Sequence, residues 1–295
     1  KSKIDNHILP AFGNRILSTI SKAEINDWIT TDIKHLNNKT INEMLMILKS
    51  LYKDAIENKL ITESPLESIK FRKTITKEPD PFELDEIQRI LNTETTRVQE
   101  VQMMIFNMWT GLRMSELIAL SWDDIDMENW NASICRAKVE GYFKKTKTKG
   151  STRTIELLSP AIDSLKILKE YSFNLPPLSR TVTLEDNKTT LNEEWRPIFI
   201  NTNTHRPHAN SNTVCHRFWQ NHLKKSGVRY RPSGQSRHTY ASQLLSTGSI
   251  SKEWIAMQMG HTNTRMIDEH YAKWMKGQGT NMTEIANDAL GFNNK

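Results

Sequence analysis

A scattered set of side chains in this sequence has the types that phosphoryl transfer without a metal would require. Attack on phosphorus needs a nucleophile, cations to hold the non-bridging oxygens as charge builds, and an acid to protonate the departing oxygen. Tyrosine, with an ordinary pKa of about 10, can attack where local positive charge helps remove its proton. Such a site calls for Tyr, a pair of Arg, a Lys and commonly His, which need not be neighbours in sequence. The candidates are Arg113 in TGLRMSELIALSW, a lysine in KKTKTKGSTRTIEL, Arg237 in PSGQSRHTYASQLL, and His261 with Tyr271 in MGHTNTRMIDEHYAKW.

Each segment has its own local logic. Gly111 permits a tight turn, after which Arg113 opens a short helix over Ser115–Ser121. A guanidinium beside a helix N-terminus suits an anion. Glu116 lies one turn on and can brace Arg113. Lys144–Leu157 reads as a hairpin with Gly150 at its turn, and its cations could enter a groove and deliver a lysine to a leaving group. Standing alone, that run reads as a solvated charged face. Arg237 begins a helix whose buried side holds Ala241, Leu244 and Leu245. His261 follows Gly260 at the end of one helix, and Tyr271 falls on or near the next. Trp274 and Met275 read as core.

In this order the segments resemble the tyrosine recombinases, in particular the phage and mobile-element integrases related to lambda integrase. TGLRMSEL resembles the family's first-arginine box and TKTKGSTRTIEL its lysine-bearing β-hairpin. SRHTYASQLL resembles the second-arginine box, and MGHTNTRMIDEHYAKW the box holding the second histidine and the tyrosine. The likeness spans residues 82 to about 275, and LPAFGNRILSTISKAEINDWI resembles the family's helical core-binding domain.

The resemblance implies a site-specific recombinase that cuts and rejoins DNA through a 3′-phosphotyrosine on Tyr271. Arg113 and Arg237 would clamp the scissile phosphate, with Glu116 supporting Arg113. Lys147 would protonate the 5′ oxygen, Lys149 being the alternative, and His261 would hydrogen-bond a non-bridging oxygen. The phosphotyrosine stores the energy of the broken bond, so no cofactor and no metal are implied. Two positions depart from the family pattern. Gly234 stands where the family often has His, three residues before the second arginine, and Glu156 stands where proline usually follows the hairpin. Water, Gln235 or His238 would then help deprotonate Tyr271, and cleavage is expected to be modestly slowed. A non-catalytic DNA-binding relative and a type IB topoisomerase-like relaxing enzyme are the competing readings.

The elements that must position these residues are mainly helical, with a small β-sheet or hairpin, in a two-domain DNA clamp. Residues 1–72 read as a helical core-binding domain, with Ser21 and Glu24 capping one helix. Ile41–Ile61 carries Met44, Leu45, Leu48, Leu51, Tyr52 and Ala55 at helical spacing. Residues 73–81 read as a linker and 82–295 as the catalytic domain, with a tail over 280–295. Helices are expected at Leu84–Leu91, Val98–Trp109, Pro160–Tyr171, Ser211–Ser226, Arg237–Thr247, Lys252–Met259 and Arg265–Met275, and a strand at Asn131–Lys138. In the tail, Met282, Ile285, Ala286, Ala289 and Leu290 form a stripe that suits docking on its own domain or on a neighbouring protomer.

Composition agrees with this reading. The 295 residues carry a net charge of +6 with 37% hydrophobic and 25% charged residues, which suits folded cores and an anionic partner. No apolar run approaches the roughly 18–20 residues of a membrane span. Cys135 and Cys215 are too few for a disulfide framework and read as reduced thiols. The chain starts at Lys1 rather than Met, as expected of a piece of a longer chain. Lys73, Lys77, Lys144, Lys145, Lys149 and Arg153 are the candidate phosphate contacts. Expected partners are double-stranded DNA attachment sites, further protomers in a homotetramer and an accessory DNA-bending protein, in the bacterial cytoplasm.

Overall fold

The computed structural model describes residues 2–74, 78–146, 152–210 and 218–276, the last five of these by backbone alone. The chain divides into two compact units, Lys1–Lys77 and Glu78–Lys295.

The first unit is helical. A π turn over Ile4–Ile8 runs into α1 (Leu9–Phe12), followed by α2 (Lys22–Thr30) and α3 (Asn38–Glu57). Ser21 caps α2 reciprocally with Glu24: the hydroxyl accepts from the Glu24 amide at 3.2 Å and the carboxylate accepts from the Ser21 amide at 2.8 Å. Met44, Leu45, Leu48, Tyr52 and Ala55 of α3 are buried as their spacing predicts, whereas Leu51 is exposed. The Tyr52 hydroxyl donates to the Leu17 carbonyl at 3.0 Å, which satisfies its polar end inside the core.

The stretch read as a linker is fixed at its start. Asn42 exchanges hydrogen bonds with the Arg72 backbone at 2.8 Å in both directions, and Asn38 donates to the Lys73 carbonyl at 2.9 Å. Its far end is fixed too: the Asp80 amide donates to Gln235 at 2.8 Å, and the Phe82 amide just beyond it donates to Thr239 at 2.9 Å. Composition had marked these residues as polar and aperiodic, but it does not register such backbone partners.

The second unit contains α4 (Leu84–Asn92), α5 (Val98–Met108), α6 (Met114–Leu117), α7 (Ser159–Ser172), α8 (Gln220–Lys225), α9 (Gly234–Ser246), α10 (Lys252–Met259) and α11 (Arg265–Lys276). Of the expected Ser211–Ser226 helix, residues 211–217 lie outside the described residues. α5 is buried on nearly every side and packs against α7 and α9. Met103, Phe106, Leu165 and Trp219 belong to this core. A second cluster joins α9, α10 and α11 through Tyr240, Leu244, Ile255, Met259, Ile267 and Tyr271. Among the described residues no helix is long and apolar enough to cross a membrane.

The strands are β1 (Ile125–Asp126), β2 (Asn131–Ile134), β3 (Arg136–Val139), β4 (Tyr142–Lys145), β5 (Arg153–Glu156), β6 (Leu178–Thr183), β7 (Thr190–Trp195), β8 (Ile200–Asn201) and β9 (Arg206–Pro207). Their sheets run β1-β2-β5, β3-β4-β6-β7 and β8-β9. This corrects the hairpin expected over Lys144–Leu157. β4 and β5 do not pair with each other; β4 pairs antiparallel with β3, and β5 with β2. The turn is Glu140-Gly141, with φ of 51° and 88°, between Val139 and its partner Tyr142. Two successive positive φ values suit the two-residue loop that matches strand twist. Gly150 lies outside the described residues; on either side of that stretch Thr146 and Thr152 meet hydroxyl to hydroxyl at 2.6 Å.

Candidate active site

Arg113 is the N-cap of α6. Its amide donates to Glu116 Oε2 at 3.0 Å and its Nη1 to Glu116 Oε1 at 2.9 Å. The Glu116 side chain is buried while Arg113 keeps 44% of its own exposed. Glu116 therefore aims a cation outward from a buried anchor. Burial works against its ionisation, but the Arg153 hydrogen bonds and charge, with Arg113 behind them, hold its pKa below the ordinary carboxylate range.

Arg153 was expected to meet DNA phosphate. It is instead enclosed: its side chain is only 6% exposed, its Nη2 donates to Glu116 Oε2 at 3.0 Å, and its Nε donates to the Gln258 carbonyl at 2.7 Å. Its place on β5 opposite α10 makes it the brace between β5, α10 and the first-arginine box. Removing one partner of a buried ion pair typically costs about 3–5 kcal/mol. Glu116→Gln should thus lower the unfolding midpoint by roughly 6–20 °C, taking about 2–4 °C per kcal/mol. Because the Glu116 pKa is depressed, this contribution is complete at neutral pH and fades only as pH falls below the usual carboxylate range. Thermal melts at neutral and acid pH check both statements; equal melting of the two proteins at neutral pH would contradict them.

Arg237 lies in the first turn of α9. Its Nη1 donates to the Gly111 carbonyl, and its Nη2 donates to the Met259 carbonyl and to His261 Nε2, both at 2.8 Å. Gly111 has a φ of +62°, and a Cβ there would sit 2.6 Å from the Tyr240 ring. Only glycine fits both demands. Burial, then the nearby Arg113 charge, lower the Arg237 pKa to about 10, so it remains a cation at neutral pH.

His261 follows Gly260, the left-handed residue that ends α10. Since Nε2 accepts from Arg237, the ring proton sits on Nδ1, which is buried and has no partner among the described residues. Burial and the charges of Arg237, Arg113 and Arg153 lower its pKa to about 4, so the ring is neutral. A cleft of about 490 Å³ opens beside it, with Arg153, His261 and Thr264 in its wall.

Tyr271 on α11 is 2% exposed and packs in the second apolar cluster. Its hydroxyl meets His238 Nδ1, a residue that shares α9 with Arg237. Burial raises the phenol pKa above its ordinary value, while the Arg237 charge acts to lower it.

The remaining candidates are surface or strand cations, or lie outside the described residues. Lys73 is exposed in the first unit, and Lys144 and Lys145 are half-buried on β4, Lys145 standing 4.0 Å from Glu185. Lys77, Lys147 and Lys149 lie outside the described residues, as does the tail. Among the described residues no group of His, Cys, Asp or Glu is placed to hold a metal ion.

The chain belongs to the phage integrase family, whose profile matches residues 80–277. A second profile, the N-terminal SAM-like domain of phage integrases, matches residues 1–31. Among curated proteins of Escherichia coli (strain K12), the chain is 29% identical over 262 residues to IntQ, whose name marks it as defective, and 27% identical over 258 residues to prophage integrase IntR. Each alignment covers 85% of this chain but only 64% and 61% of the respective relative, so the chain spans less than two thirds of either. In fold it is similar to the Tn1549 transposon integrase solved with a circular intermediate DNA, at a TM-score of 0.74 and 16% identity over 98% of this chain and 91% of that one.

Proposed function

We propose that this chain is a site-specific DNA recombinase that integrates or excises a phage or other mobile element by cutting and rejoining DNA at attachment sites. The observation that carries this reading is convergence. Arg113, Arg237 and His261 come from three distant segments, yet Arg237 bonds both the turn that presents Arg113 and the His261 ring, and Tyr271 is held by the residue after Arg237. In this reading Tyr271 attacks phosphorus, Arg113 and Arg237 hold the non-bridging oxygens, and His261 donates to one of them once phosphate displaces its bond to Arg237 and the ring proton moves to Nε2. Relatives support it: one is named a prophage integrase, and lambda integrase has been solved as a tetramer bound to a Holliday junction. Four protomers on DNA are the expected working assembly, with Lys73, Lys77, Lys144, Lys145 and Lys149 contributing salt-sensitive phosphate contacts.

The test is a nicked suicide duplex built from the DNA flanking the gene, where the attachment site is expected. Loss of the short 5′ fragment should trap the protein covalently at a 3′ end. A chain that binds this duplex specifically but never becomes attached would instead be a DNA-binding relative without catalysis.

Lys147 is proposed as the acid for the 5′ oxygen. Lys147→Ala should slow cleavage by about 10²–10⁴-fold on ordinary DNA. A 5′-bridging phosphorothiolate, whose thiolate leaves without a proton, should restore it. Rescue of Lys149→Ala alone would move the role to Lys149.

A further inference from the structure

A tyrosine that attacks phosphorus must lose its proton, and the residue types expected to take it are partly disposed of by geometry. At Gly234 there is no side chain, and a Cβ there would meet nothing within 4 Å. Gln235 is engaged elsewhere, its Oε1 accepting from the Asp80 amide at 2.8 Å. His238 lies one turn beyond Gly234 on the same face of α9, with its Nδ1 on the Tyr271 hydroxyl. The two rings are 5.5 Å apart and tilted by 42°, so the contact is made at the ring edge through the polar atoms.

We propose that His238 receives the phenol proton of Tyr271 during attack, in place of the side chain that Gly234 lacks. This rests on the reading of Tyr271 as the nucleophile. The charged and titratable groups facing His238 are Arg237 beside it on α9, and His270 and Tyr271 from α11. Burial, then His270 and Arg237, lower its pKa to about 4, so at neutral pH the ring is uncharged and Nδ1 is an acceptor with the ring proton on Nε2. The phenol outcompetes such a weak base for the proton at rest. Transfer therefore accompanies bond formation, when the phenolic oxygen is becoming an ester oxygen and loses its basicity. The incoming phosphodiester also brings a negative charge beside Arg237, which removes part of the repulsion that disfavours an imidazolium at His238.

The balance is complete. The Tyr271 Oη–P bond forms and the P–O5′ bond breaks; the phenol proton passes to His238, and the 5′ oxygen takes a proton from the general acid assigned above to Lys147. On rejoining, the 5′ hydroxyl gives its proton back to that acid as it displaces tyrosine, and His238 returns its proton to the phenolate.

The experiment measures single-turnover attachment to the nicked duplex. His238→Asn keeps an acceptor near Nδ1 but cannot hold a proton, so it should bind DNA normally and cleave about 10²–10⁴-fold more slowly. Cleavage within about threefold of the unsubstituted rate would reduce His238 to a positioning residue and overturn the proposal. His238→Ala, assayed with and without added imidazole, decides the matter if the Asn variant does not fold. Imidazole-dependent recovery supports proton acceptance, whereas activity indifferent to imidazole overturns it. Failure of the unsubstituted chain to attach at all would instead remove the nucleophile reading, a result that no His238 variant can produce.

Discussion

Replacing Tyr271 by phenylalanine is expected to leave a folded, DNA-binding protein that forms no covalent DNA adduct. The substitution removes one oxygen from a ring that is 2% exposed and packed among Ile267, Met259 and Leu244. Shape and apolar contact are retained. The lost hydrogen bond to His238 should cost only about 1 kcal/mol. The chemical loss is of another order, because no other oxygen of this ring can attack phosphorus. Removing a nucleophile commonly lowers the rate by about 10⁶-fold, so no adduct should be visible on a denaturing gel. DNA binding measured by gel shift and the thermal midpoint should both stay close to those of the parent. An adduct that survives the substitution would assign the nucleophile to another residue.

Arg113→Ala should produce the next largest effect with the least structural disturbance. Arg113 is partly exposed and has Glu116 as its ion-pair partner, while Glu116 retains Arg153 after the change. Loss of one donor to a developing oxyanion costs about 10²–10³-fold in rate, and more is expected here because the donor is a full charge. Arg113→Lys should recover little, since lysine cannot present the paired donors of a guanidinium. Arg237→Ala is the informative contrast. Arg237 also ties together the Gly111 carbonyl, the Met259 carbonyl and His261, so its removal should reduce both activity and melting temperature. If Arg113→Ala melts as early as Arg237→Ala, its role is in folding rather than in holding phosphate.

Helices were legible where one periodic signal sufficed. The apolar stripe of α3 and the Ser21–Glu24 cap are local patterns, and local patterns survive folding. Both arginine boxes were visible because a turn glycine or a helix start accompanies each. The true partners of β4 and β5, which are β3 and β2, are not legible because the lysine-rich run draws the turn toward Gly150 and away from Glu140-Gly141. The β6–β7 hairpin was not anticipated either: Thr-Leu-Asn-Glu-Glu-Trp offers almost no alternation of apolar and polar residues. Arg153 reads from the sequence as a phosphate contact because its partner Glu116 lies 37 residues away, a separation that no window of periodicity spans. His238 could be named as one of several acceptors, but choosing it required knowing that Gln235 was already engaged.

Gly111 makes the spacing between the two arginines a property of the main chain. One arginine follows this turn directly, and the other grips its carbonyl oxygen. Because a methyl group there would collide with Tyr240, a drift at this uncharged position would put the pair out of alignment without touching either guanidinium. An inventory of reactive side chains therefore overcounts working enzymes. A cousin could possess every acid, base and cation and still be inert through the gain of a single carbon.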